Sequence, residues 1–198
     1  MKLYPSNARL LKRVGIGTAL LVLLCAVLTV NTSAMRVNSQ TLAIHEIDYF
    51  QNYTLKGLHG ESLSPEAIRS YKLIVLNGWG PWCPSCVAEM PDLDILAEEY
   101  KPQGVLLAGI VADYMTPDKQ KNPDYDDQID QILTSLDIHY PSFVADEEFH
   151  RVLYPTMYYA FPTTWAIDGN GRIIGLVSGG HSIDQWRETI DEWLKEAE

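Results

Sequence analysis

Two cysteines three positions apart carry the chemistry this chain can perform: Cys83-Pro84-Ser85-Cys86. A thiol pair at that spacing has three uses: a structural staple, half of a zinc site, or a reversible dithiol–disulfide couple. As a staple it would achieve little, because the stabilisation attributed to a disulfide falls with loop length and this loop is very short. Zinc needs about three or four protein ligands. No second Cys-x-x-Cys is present, and His45, His59, His139, His150 and His181 are scattered singly. Redox exchange remains, and the flanking sequence suits it.

Residues 73–76 form an apolar run bounded by Asn77-Gly78, the pattern of a strand covered on both faces. After the cysteines, Val87, Met90, Leu93, Leu96, Ala97 and Tyr100 recur at helical spacing. The pair therefore sits where a buried strand hands over to the N-terminus of an amphipathic helix. Free helix amides and the macrodipole stabilise a thiolate there, and can lower a cysteine pKa from about 8.5 into a range of about 3.5–7.5. Cys83 is the expected exposed nucleophile that attacks a partner disulfide. Cys86, one turn further in, is the expected resolving thiol. Pro84 suits the first helical turn, where no amide bond is lost. Pro91 falls inside the same helix and is expected to interrupt and kink it, because it removes a donor and crowds the preceding turn.

The remaining elements must build a sheet behind this site. Residues 53–55 and 61–63 flank a turn at 57–60 and suggest a short hairpin. Ser64-Pro65-Glu66 supplies an N-cap, a proline at the first helical position and a first-turn acid, so a brief helix should run to about residue 71. Residues 105–111 read as a second buried strand, and strand–helix–strand implies a parallel pair with a right-handed crossover. A polar loop is expected over 113–127, a helix over about 126–136 and a third short strand at Phe143 and Val144. Residues 163–167 and 172–177 are β-rich runs joined by Asp168-Gly169-Asn170-Gly171, a hairpin signal. Over 182–195, Ile183, Trp186, Ile190, Trp193 and Leu194 share one helical stripe.

At 198 residues, with 46% hydrophobic and 21% charged, the chain has the material for one globular domain with a core. A net charge of −11 argues against a nucleic-acid partner, which needs a cationic surface. The charge is unevenly placed: residues 1–34 hold Lys2, Arg9, Lys12 and Arg13, and all 26 acids lie downstream. Residues 14–30 are uncharged, near the lower limit of the about 17–25 residues that cross a bilayer as a helix. This run is apolar all round apart from Thr18 and Thr29, unlike a buried core helix with its polar stripe. Thr32-Ser33-Ala34 would suit cleavage of a signal peptide, but a retained anchor is the favoured reading. The expected order is a cytoplasmic basic head (1–13), a single-pass transmembrane anchor (14–34) that contains Cys25, a spacer (35–50) and an extracytoplasmic domain (51–198).

Trp82-Cys83-Pro84-Ser85-Cys86 after Leu76-Asn77-Gly78-Trp79 resembles the thioredoxin superfamily, and within it the membrane-anchored TlpA, ResA and CcmG type of thiol-disulfide oxidoreductase. The resemblance covers roughly residues 51–194. It implies a thioredoxin-like α/β fold, a central mixed β-sheet flanked by helices, behind an N-terminal transmembrane helix. Pro91, five residues after Cys86, matches the family's helix kink. Phe161-Pro162-Thr163 matches its cis-proline loop, which lies beside the cysteines and offers backbone to an extended substrate. Phe161, Pro162 and Trp82 are thus the expected substrate-binding residues, with Trp79 a further candidate to shield the disulfide. The buried aspartate that thioredoxin places six residues before its first cysteine is Asn77 here, and asparagine cannot take a proton. Glu89, three residues beyond Cys86, resembles the acidic residue of the TlpA and ResA group and is the expected proton-handling catalytic residue.

The implied activity is reduction of protein disulfides at the outer face of a bacterial cell membrane. Exported cysteine-containing proteins, such as apocytochrome, and a membrane thiol-electron donor are the implied partners. No metal and no cofactor beyond the Cys83–Cys86 couple is expected. Two alternatives share the fold. A thiol peroxidase would carry Thr-x-x-Cys, but Gly80 stands three residues before Cys83. A copper-binding assembly factor of the Sco type spaces its cysteines by three residues, against two here.

Overall fold

The computed structural model describes residues 49–112, 123–153 and 160–198. The basic head, the anchor and nearly all of the spacer lie outside these residues, as does most of the polar loop expected after residue 112. Among the described residues no helix is long and apolar enough to cross a membrane.

Among the described residues, seven strands form one mixed sheet: β1 (Leu55–Gly57), β2 (Ser62–Leu63), β3 (Leu73–Trp79), β4 (Val105–Val111), β5 (Ser142–Val144), β6 (Thr163–Asp168) and β7 (Ile173–Ser178). Their spatial order is β2-β1-β5-β4-β3-β6-β7. β3, β4 and β5 run parallel to one another, and the remaining pairings are antiparallel. The helices are α1 (Pro65–Ile68), α2 (Pro84–Tyr100), α3 (Pro123–Ser135), α4 (Glu147–Leu153) and α5 (Ile183–Glu196). Helix α2 provides the crossover that makes β3 and β4 parallel.

Alternation along the central strands explains why both faces are covered. Leu73, Val75 and Trp79 enter one core with Val105, Leu107 and Val111, facing residues of α2 and α5 such as Met90, Leu93, Trp186 and Ile190. Ile74, Leu76, Ala108 and Ile110 enter the other core with Phe50, Phe143, Phe149 and Trp165. Side chains at period two go to opposite faces, so a continuous apolar run is what two covered faces require. The helix ends follow their capping residues. Ser64 Oγ accepts from the Ala67 amide at 3.2 Å, and Ser182 and Gln185 form a capping box that opens α5.

Several boundaries differ from the sequence reading. β3 does not end at Leu76, because Asn77 and Gly78 pair with β4 on one side and β6 on the other and so extend the strand to Trp79. The first hairpin sits a little later than expected, at Leu55–Gly57 and Ser62–Leu63. α2 runs unbroken through Pro91, which lies on its exposed side. The end of the expected loop is helical, since Pro123 opens α3. α4 was not anticipated, although Asp146 Oδ1 caps it by accepting from the Phe149 amide at 3.0 Å, with acids in its first turn and bases in its last.

Candidate active site

β3 delivers the chain to the cysteines through Gly80, Pro81 and Trp82. Gly80 is needed for space, since a Cβ there would lie 2.8 Å from indole atoms of Trp82. Cys83 is the N-cap of α2: its sulfur accepts from the Cys86 amide at 3.3 Å, and its carbonyl accepts from the Val87 amide at 3.1 Å. The two cysteines are joined in a disulfide. The sulfur is therefore placed where unsatisfied helix amides favour a thiolate once the bond is opened.

The expectation that Cys83 is exposed needs correction. It is 4% exposed and Cys86 0%, and both belong to the core that holds Trp79, Met90 and Trp186. The reason is the capping role, which folds the Cys83 side chain back over the amide of Cys86. Cys83 is still the less buried residue of the two.

Register brings the proline loop to the same end of the sheet. Gly78 pairs with Thr163, so Phe161 and Pro162 lie beside the residues that follow β3. The Phe161-Pro162 bond is cis. Pro162 is buried, and its carbonyl accepts from the Gly179 amide at 2.8 Å, which ties the loop to the end of β7. Trp82 is 42% exposed and meets the half-buried Phe161 ring edge-on, with centroids 4.9 Å apart. Trp79 is fully buried, in the same core as the two cysteines.

Glu89 lies on α2 one turn after Cys86 and is 5% exposed. Three donors reach it: Asn77 Nδ2 at 3.0 Å on Oε1, and the His181 amide at 3.3 Å and Trp186 Nε1 at 3.4 Å on Oε2. Burial pushes its carboxyl above the usual range, and the bonds from Asn77, His181 and Trp186 only partly oppose the rise. The turn between β7 and α5 covers it: a Cβ at Gly180 would stand 3.6 Å from Oε2 and 3.9 Å from the Ser85 carbonyl. This is a buried acid with a raised proton affinity, on the helical face shared with Cys86. Such a group can take the proton of a resolving thiol and return it later.

Cys83, Cys86, Glu89, Trp82, Phe161 and Pro162 are thus gathered at one end of the sheet. Sequence reasoning missed the contribution of Trp186, which helical periodicity assigned to packing alone. His181, a single histidine just before the last helix and so able to approach a site, reaches it through its backbone amide. Its ring lies 5.0 Å from that of Trp186, and Nδ1 is 2.8 Å from the Gly179 carbonyl. The available signal for Asn77 was a polar residue inside an apolar strand. Among the described residues no group of three or more His, Cys, Asp and Glu side chains could hold a metal ion.

Comparison with known proteins agrees with this geometry. The thiol-disulfide oxidoreductase ResA of Bacillus thuringiensis subsp. konkukian is 26% identical over 144 residues, covering 73% of this chain and 73% of that protein. The thioredoxin-like protein YneN of Bacillus subtilis is 25% identical over 154 residues, covering 78% of this chain and 84% of its own. The crystal structure of a thiol:disulfide interchange protein of the thioredoxin family from Chlorobium tepidum superposes with a TM-score of 0.59 at 20% identity, over 72% of this chain and 92% of that one. The Redoxin family matches residues 46–182, more than half of the chain. The chain belongs to that family, as a TlpA-, ResA- and CcmG-like member of the thioredoxin superfamily and a thiol-disulfide oxidoreductase.

Proposed function

We propose that the chain reduces protein disulfides at the outer face of a bacterial membrane, held there by residues 14–34. The observation that carries the reading is the Cys83 sulfur at the mouth of α2, next in sequence to Trp82, which packs on Phe161 of the cis-proline loop, with the buried Glu89 on the same helix one turn after Cys86. In the dithiol form, the Cys83 thiolate attacks a partner disulfide, forming a Cys83–partner bond and releasing one partner thiolate. Cys86 then gives its proton to Glu89 and attacks Cys83, which closes the internal disulfide and releases the second partner thiolate. Two electrons pass from this protein to the partner, and a membrane thiol donor restores the dithiol.

The reducing direction is supported by the resemblance to the ResA group and the outer location by the apolar segment 14–30 behind a basic head. The experiment is a trap in cells making the full chain with Cys86→Ser. Mixed disulfides between Cys83 and exported cysteine proteins are expected, together with labelling of the reduced protein by a membrane-impermeant thiol reagent. Recovery of no Cys83 adduct overturns the mechanism. A reduction potential near about −120 mV, as in strong oxidants of the disulfide-forming kind, overturns the direction.

A further inference from the structure

On the face of the sheet beneath α2, one rung in the middle of the sheet differs from the apolar rungs beside it. Thr164, Asn77, Gly109 and Ser142 are register partners across β6, β3, β4 and β5. The adjoining positions on that face carry Val75 and Leu107 on one side and Trp79 and Val111 on the other. This rung holds two alcohols, an amide and a glycine, and no apolar side chain. Thr164, Asn77 and Ser142 are all at least nine-tenths buried.

Asn77 uses both amide hydrogens, one on Glu89 Oε1 at 3.0 Å and the other on Thr164 Oγ1 at 2.9 Å. Among the described residues its Oδ1 has no partner, nor do Trp79 Nε1, Ser142 Oγ and the Tyr140 hydroxyl, all of them buried. Trp79 Nε1 and Ser142 Oγ converge on Gly109, where a Cβ would stand 2.9 Å from the first and 2.8 Å from the second. Any side chain at this position would displace both groups. An unmet acceptor, an unmet donor and a hydroxyl able to act as either form a matching set for one internal water, which typically makes about two to four hydrogen bonds to such groups.

We propose that Asn77, Trp79 and Ser142 bind a structural water above Gly109, and that this water fixes the Asn77 amide with its nitrogen toward Glu89. The water accepts from Trp79 Nε1 and donates to Asn77 Oδ1, and Ser142 Oγ takes a third position. A flipped amide would set Oδ1 against Oε1 of the ionised Glu89, two acceptors face to face, and would withdraw a hydrogen bond that favours the carboxylate. Asn77 is therefore a positioning residue, and the water acts through it on the proton affinity of Glu89. The other groups facing Glu89 are His181 from the turn before α5, Trp186 from α5, Tyr140 from the segment before β5, and the cysteines of its own helix. The consequence for turnover rests on the reading of Glu89 as the proton carrier, but the site itself concerns the resting disulfide form.

The test reads the water and the carboxyl directly and needs no partner protein. In the unaltered protein, the Trp79 indole proton should show a magnetisation-transfer contact to a long-lived water. In Ser142→Ala, which removes one ligand, and Gly109→Ala, which puts a methyl group in the space, the NMR titration midpoint of the Glu89 carboxyl should rise by about one unit. A Trp79 indole proton without a water contact, or a Glu89 midpoint unmoved in both variants, overturns the proposal. Failure to reduce protein disulfides would sink the functional reading and leave this one standing.

Discussion

The indole of Trp82 stands edge-on to the ring of Phe161, with centroids 4.9 Å apart and planes at 81°. One ring comes from the segment before the cysteines and the other from the cis-proline loop, so the pair joins the two strips of chain that frame the disulfide. Such aromatic pairs contribute about 0.5–1.5 kcal/mol beyond area burial. Because Trp82 is 42% exposed, Trp82→Ala should lose this and part of its burial, and so cost less than the about 3–5 kcal/mol of a fully buried aromatic. Its larger effect should fall on recognition: exchange with a folded protein disulfide slows, while exchange with oxidised glutathione changes much less. Stopped-flow measurement of both reactions checks this, and equal slowing of the two would make the aromatic pair a support for Cys83 instead of a partner surface.

Glu89 ties stability to pH in a direction that can be worked out. Its folded-state carboxyl is raised, with burial the main cause, so the native state holds the proton more tightly than the unfolded chain. That contribution is fully present below the unfolded value of about 4.3 and is lost as pH rises through the folded value. Glu89→Gln cannot titrate. The stability of wild type relative to the variant should therefore fall steadily with pH above about 4.5 and then level off, whatever the offset from altered hydrogen bonding. Urea denaturation at a series of pH values checks the slope. In the reduced protein the same substitution should shift the pH profile of thiol alkylation, and an unchanged profile would remove Glu89 from the proton pathway.

The parts of this site that were legible in the sequence are the ones local spacing controls. Cys83 and Cys86 at the start of an amphipathic helix, and the turn residues Asp168 to Gly171, declare themselves within a few positions. The helix α2 survives Pro91 because the lost amide lies on the exposed side, a matter of helix phase that a proline count does not convey. The burial of Glu89 was not legible, since its donors come from residues 12, 92 and 97 positions away. Nor was the covering of Cys83, because it depends on how the N-cap side chain turns. Long-range pairing decides both, and no local periodicity records it.

Asp94 joins α2 to the turn before β5. Its carboxylate accepts from the His139 amide at 2.7 Å and the Tyr140 amide at 3.1 Å, with His139 Nδ1 3.1 Å away. The hydrogen bond to Asp94, together with the charges of Asp137 and Asp94, holds His139 above the usual histidine range. A raised folded-state value stabilises the fold below the unfolded value of about 6.5 and ceases to do so as pH rises through the folded one. The stability difference between wild type and His139→Ala should accordingly be larger at pH 6 than at pH 9, and Asp94→Asn should weaken that pH dependence, leaving the part that Asp137 supplies. Denaturation midpoints of the three proteins at both pH values decide the matter.

Asp168 offers a test in which stability and chemistry should separate. It closes the β6–β7 hairpin at the end of β3 opposite the disulfide, pairing with Leu73 where Thr163 pairs with Gly78. Its side chain accepts from the Asn170 and Arg172 amides, both at 2.9 Å, and from Arg172 Nε at 2.8 Å and Nη2 at 2.7 Å. Burial alone would raise this carboxyl, but the bonds from Arg172 and Asn170 outweigh it and hold the group below its usual value. A depressed folded-state value contributes stability that is present above the unfolded value of about 3.9 and is lost as pH falls through the folded one. Asp168→Ala should therefore cost about 1–3 kcal/mol at pH 7, and less as the pH falls below 4. Because the hairpin's other end carries Pro162, a rigid sheet should leave disulfide exchange by the folded variant within about twofold of wild type at temperatures well below unfolding. A large loss of exchange in a variant whose fold is intact would mean that the proline loop is positioned through the hairpin turn and not by its own contacts with Gly179 and Trp82.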